Sequence, residues 1–107
     1  MNKNIYTLLT IITFNCITIN ANAVAIRGMG DCGEWVANKD NNVRYKGWLL
    51  GYMSGLASAS STDVLANSSP QSIFVWMDNY CNTNPLEHVS NAGITLFYEL
   101  KKQKGLK

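Results

Sequence analysis

The stretch Asp78–Val89, DNYCNTNPLEHV, places a thiol, Cys81, seven residues before the chain's one histidine, His88. A cysteine near an imidazole is the pairing of a nucleophile with its base, and the same two side chains are half of a metal site. A catalytic cysteine has to be a free thiolate in an electropositive, accessible niche. Structural zinc wants four ligands from closely spaced Cys and His pairs. The chain offers three cysteines, one histidine and singly scattered carboxylates, Asp78 and Glu87 being the nearest to a cluster. Neither chemistry has its full set of groups. Gly47, Gly51 and Gly55 lie inside a helical pattern rather than in a phosphate-cradling loop. The residues therefore predict no catalytic group, no metal and no cofactor.

The N-terminus bears on the state of the cysteines. Lys3 gives a short positive region, Ile5–Ile19 is apolar, threonine-rich and uncharged, and Ala21-Asn22-Ala23 supplies small residues at −3 and −1. That is the layout of a secretory signal peptide cut after Ala23, or after Ala25, with residues 24–107 as a single domain. An uncleaved anchor is the alternative, but the apolar run is nearer 15 residues than the roughly 20 a spanning helix needs. A lipoprotein signal fits less well, because Phe14 and Asn15 precede Cys16 where small residues belong. Cys16 leaves with the leader. Cys32 and Cys81 remain, and two cysteines in a short exported chain read as one disulfide. Closing that loop contributes about 3–4 kcal/mol, a large share for a domain with so small a core. His88 is then an exposed residue early in the following helix.

Charge says little. Of nine Lys and Arg, Lys3 lies in the leader, leaving eight against seven acidic residues. Four basic residues sit in the tail KKQKGLK, where they complement a helix dipole. No basic stripe with interleaved aromatics is present, so nucleic acid is not an expected partner. After removal of the leader no stable membrane insertion is expected.

The elements that position these residues are helical. Asp31 and Glu34 in DCGEWV have capping-box spacing, which predicts a short helix that ends before the polar NKDNN. From Val43 to Ala59 apolar residues recur at helical spacing through Trp48, Leu49, Tyr52, Met53 and Leu56. Gly47, Gly51 and Gly55 fall on one side of that helix. Each costs about 0.8–1 kcal/mol against alanine, so their register predicts close packing of another backbone, within the domain or between two copies. Ser58–Ser69 is a polar loop with a helical turn near Asp63–Ala66. Ser69-Pro70 then starts a helix over Gln71–Cys81, and Asn84-Pro85 repeats the device for a last helix. That helix carries Leu86, Val89, Gly93, Leu96, Phe97 and Leu100 on one side, with Gly105 as its C-terminal cap. The expected fold is all-α: four helices, the first short, with the first joined to the third by the disulfide.

DCGEWV, then GWLLGYMSG, then DNYCNTNPLEHV resembles the HdeA/HdeB-like family of small periplasmic proteins. The 49 positions between Cys32 and Cys81 suit that family's single disulfide, and the resemblance covers nearly all of the chain after the leader. It implies a dimeric, acid-activated chaperone that binds unfolded client proteins. Such a switch draws on carboxylates, and seven Asp and Glu with one His make a short lever. The layout, including the Tyr-Cys and Asn-Pro of DNYCNTNP and a final amphipathic helix, is also similar to the Rap/Tai immunity proteins. That likeness implies a periplasmic protein that neutralises a secreted effector. In it the polar loop would meet the partner, with Ser60, Ser61, Thr62 and Asp63 as contact residues, although a plain surface loop reads the same way. The cysteine reading has a direct check. Alkylation of the oxidised, leader-free protein is expected to find no free thiol, and two modified cysteines would refute the pairing.

Overall fold

Each helix begins at a polar side chain that accepts one of its orphan backbone N–H groups. Asp31 Oδ1 accepts from Glu34 N at 2.9 Å to start α1 (Cys32–Ala37). Asn42 Oδ1 accepts from Tyr45 N at 3.0 Å to start α2 (Val43–Ala59). Ser69 Oγ accepts from Ser72 N at 3.1 Å ahead of α3 (Pro70–Thr83), with Pro70 at the first helical position. His88 Nδ1 accepts from Ser90 N at 3.1 Å to start α4 (Val89–Gln103). These positions come from a computed structural model that describes residues 24–107; the expected leader, with Cys16, lies outside them. A turn of 3₁₀-helix, Lys39–Asn41, fills the polar run between α1 and α2. Among the described residues there is no strand, only an isolated antiparallel bridge between Asp31 and His88. None of these helices is long and apolar enough to cross a membrane.

The last helix ends as its sequence predicts. Gly105 takes a left-handed φ of 62°, Leu106 N donates to Lys101 O at 3.0 Å, and Gly105 N donates to Lys102 O at 3.1 Å. These are the two bonds of a Schellman motif.

The core lies where α1 and α3, α2 and α4, and α3 and α4 face one another. Cys32, Leu49, Met53, Val64, Met77, Cys81, Val89 and Ala92 are fully buried, and Trp35 and Leu96 nearly so. Cys32 and Cys81 are bonded, their Cα atoms 4.7 Å apart, which fixes α1 to α3. Trp35 fills the space beside them, its ring centroid 6.4 Å from that of Phe74. Its indole N–H is not wasted in the interior, since it donates to Asp78 Oδ1 at 2.8 Å. Glu34 does not close the reciprocal half of the capping box; it accepts the Tyr45 hydroxyl and so ties α1 to α2. That bond, with some desolvation, holds the Tyr45 phenol above its usual pKa.

Two expectations need correction. Gly47, Gly51 and Gly55 do not pack against another backbone within the domain, which leaves only the form of that expectation between two copies: they are exposed, and a Cβ built on any of them meets nothing within 4 Å. The close approach of α2 to α4 runs instead through Gly93, where a Cβ would sit 3.0 Å from Tyr52 Cε1 and 3.7 Å from Leu49 Cδ1. The apolar stripe of α2 dictates this, because burying Leu49 and Met53 turns the glycines outward. The last helix, for its part, starts at Val89 rather than Pro85, and Leu86 is 92% exposed instead of facing the core. The carbonyls of Pro85 and Glu87 accept from Gly33 N at 2.8 Å and Cys32 N at 2.7 Å, so this segment is turned toward α1 in place of a helical path.

The two kinds of glycine should respond oppositely to alanine. Gly51→Ala is expected to stabilise the fold by about 0.8–1 kcal/mol, the propensity gain alone. Gly93→Ala forces the Tyr52 ring aside, and overpacking of about 1–3 kcal/mol outweighs the same gain. Urea denaturation of the two variants reads the contrast. A loss on Gly51→Ala would instead show that a second chain covers this face.

Candidate functional site

The Cys81–His88 pair is not a nucleophile and its base, because Cys81 spends its sulfur on Cys32. His88 is half-buried rather than exposed, and it precedes α4 as its cap. Its Nδ1 accepts from Ser90 N at 3.1 Å and lies 2.6 Å from Ser90 Oγ. A backbone N–H can only donate, so Nδ1 is the acceptor and the ring proton sits on Nε2. The backbone of Val89 is tied back in turn, donating to Gly30 O at 3.1 Å. His88 thus links the α4 start to the segment before α1. Among the described residues, no three His, Cys, Asp or Glu side chains gather as a metal ion requires.

The Ser60–Asp63 loop turns the chain out of α2. Ser60 Oγ donates to Leu56 O at 2.7 Å, and Thr62 N donates to Ala57 O at 3.0 Å while its Oγ1 donates to Ser60 O at 3.0 Å. Ser61 sits at a left-handed φ of 51° without being glycine. Val64, fully buried, anchors the far side. Two of the four polar side chains are therefore committed to local backbone, and Ser61 and Asp63 are left exposed. The loop is a braced turn.

Of the four, Ser60 lies on an apolar concave surface. It lines a groove of about 360 Å³ with Leu56, Ala59, Ile94, Phe97 and Tyr98, between the end of α2 and the middle of α4. Apart from Ser60 and the Tyr98 hydroxyl, the walls are apolar. Tyr98 is 61% exposed at the rim. Ile94 and Tyr98 escaped the sequence reading, but a signal was there. They are one turn apart and fall outside the stripe of Val89, Leu96 and Leu100, and an apolar pair off the core face marks a second surface. Ser61, Thr62 and Asp63 flank the groove in sequence without lining it.

A second, more polar groove of about 240 Å³ lies on the other flank of α4, against α3 and the Asn67–Ser68 turn. Trp76 lines it, stacked on Tyr80 with centroids 5.0 Å apart and planes 12° from parallel.

Compared with protein-family models, curated proteins and solved structures, the chain matches none.

The capping role of His88 has a measurable size. His88→Ala is expected to cost about 1 kcal/mol of stability, whereas His88→Asn, which restores a side-chain acceptor at the cap, recovers most of it. Denaturant unfolding of the two variants decides, and equal losses would show that the cap contributes nothing.

Proposed function

We propose that this chain is a small exported protein without catalytic activity that works by binding other proteins, as an HdeA/HdeB-like periplasmic acid-stress chaperone. The observation that carries the reading is the solvent-open apolar groove of Leu56, Ala59, Ile94, Phe97 and Tyr98. A notch of that kind accepts one or two apolar side chains of an unfolded client with little demand on their shape. Burying each contributes about 1.5–3 kcal/mol, which gives capture that is weak, general and reversible. The Cys32–Cys81 bond supports both the location and the task. Disulfides persist in oxidising compartments, and a covalent staple keeps its strength when carboxylates become protonated. A homodimer that covers this groove near neutral pH and releases it in acid completes the proposal.

A second reading has its own support. The braced turn at Ser60–Asp63, with Ser61 held in a left-handed conformation, is a preformed prominence beside an apolar groove. Such a prominence would serve an immunity protein of the Rap/Tai kind in occluding an effector, with Ser61 and Asp63 as the exposed contact groups.

One titration separates the two. Oligomeric state and suppression of client aggregation are followed from about pH 7 to about pH 2, where apolar surface of an unfolded client is exposed. The chaperone reading expects suppression that appears in acid and falls severalfold in Tyr98→Asp, a change at an exposed position that leaves the core intact. An unchanged oligomer with no suppression in acid would sink it. Nanomolar binding to the product of a neighbouring reading frame, lost on changing Ser61 and Asp63, establishes the second reading instead.

A further inference from the structure

The polar groove between α3 and α4 has a composition of its own. Trp76, Leu100 and the buried Ile73 line it together with polar Asn67, Glu99 and Gln103, of which Asn67 and Gln103 are exposed. Tyr80, one turn on from Trp76, stacks against one face of the indole, while the groove residues Ser72 and Ile73 lie one turn back. Trp76 thus lines the groove while Tyr80 stacks on one face of its indole. Asn67 is held at a left-handed φ of 60°, with its side chain exposed where it lines the groove. The amide of Gln103 makes only a long contact, 3.4 Å, to Glu99 Oε1. Two amides and a carboxylate thus stand around an aromatic plate with little to bind among themselves.

We propose that this groove is a subsite for a neutral saccharide, one pyranose ring deep. A sugar hydroxyl both donates and accepts, and a planar amide or carboxylate spans two neighbouring hydroxyls as Asn67, Glu99 and Gln103 are placed to do. The C–H face of the ring is apolar and slightly positive, which matches the negative face of Trp76 and the aliphatic Ile73 and Leu100. The cavity of about 240 Å³ holds a single ring and little more. An aromatic plate beside a carboxylate also attracts cations. Here, however, the Lys104 ammonium donates to Ala66 O, the carbonyl next to Asn67, and already supplies a positive charge at the rim. The balance of Glu99 and Lys104 selects an uncharged ligand. This site is separate from the Tyr98 groove and does not rest on the client-binding reading.

The test uses the oxidised protein with two probes, a trimer of N-acetylglucosamine and maltotriose, followed by saturation-transfer NMR and Trp fluorescence. At least one is expected to bind with a Kd on the order of 1 mM, the range a single-ring site supports. Trp76→Ala is expected to weaken it about tenfold, the effect of losing one good contact. Trp76 also packs against the core, so Asn67→Gly and Gln103→Ala serve as companions. The first keeps the left-handed backbone and the second changes an exposed residue. Each is expected to weaken binding severalfold with unfolding midpoints unchanged, while Tyr98→Asp has no effect. No saturation transfer from either probe at about 10 mM overturns the proposal. So does binding that survives both amide variants, or preferential binding of a lysine-containing tripeptide that Glu99→Gln abolishes.

Discussion

The structure depends on the clasp between the segment Gly30–Gly33 and the turn Pro85–Val89. α1 is six residues long and has far too few internal hydrogen bonds to persist alone. It exists because its first N–H groups find the carbonyls of Glu87 and Pro85, Asp31 caps the next, and Cys32 is bonded to Cys81. The same contacts set the other end. With the Pro85 and Glu87 carbonyls already engaged and Val89 N held by Gly30 O, α4 begins where the clasp lets go. The disulfide adds a covalent bond to a joint that hydrogen bonds and the Trp35–Asp78 contact have already aligned.

α4 gains its importance from this arrangement. It is the helix against which both α2 and α3 pack, and it contributes a wall to each groove: Ile94, Phe97 and Tyr98 on one flank, Glu99 and Gln103 on the other. The two flanks have opposite character because Leu96 and Phe97 take the buried stripe, and what lies to either side is free to differ. One flank is apolar and the other is rimmed with amides and a carboxylate.

Much of this was legible in the sequence, and the errors share a cause. Asp31 and Ser69 caps, Pro70, the Cys32–Cys81 pair and Gly105 act locally or through a single forced pairing, so their meaning survives without a structure. The start of α2 at Val43 is legible for the same reason, while its end overlaps the expected loop, Ser58 and Ala59 still being helical. Asn84-Pro85 has the local form of a helix start, but long-range bonds to α1 take its carbonyls, and local reading cannot see an acceptor claimed from 50 or so residues away. Gly33 was the sign of that approach: a Cβ there would lie 3.4 Å from Pro85 O. The glycines of α2 are the complementary case for packing within the domain. Their register was read correctly, but which side of the helix faces the core is decided by Leu49 and Met53. Of the expected contact residues Ser60–Asp63, Ser60 lines the apolar groove, and its partners there, Ile94 and Tyr98, are more than 30 residues along the chain.

The clasp also joins parts of the chain that lie far apart in sequence. α3 and α4 are joined by a short connection, and pairing them closes little chain, whereas bringing Cys32 to Cys81 closes a loop of 49 residues. The acceptors that nucleate α1 exist only once the turn between α3 and α4 has taken shape. α1 thus borrows its first acceptors from the α3–α4 turn, and its cysteine lies opposite the other where that turn is in place. An intact Cys32–Cys81 bond is therefore a covalent mark of a joint between distant parts of the chain, one that thiol chemistry can read without seeing the shape.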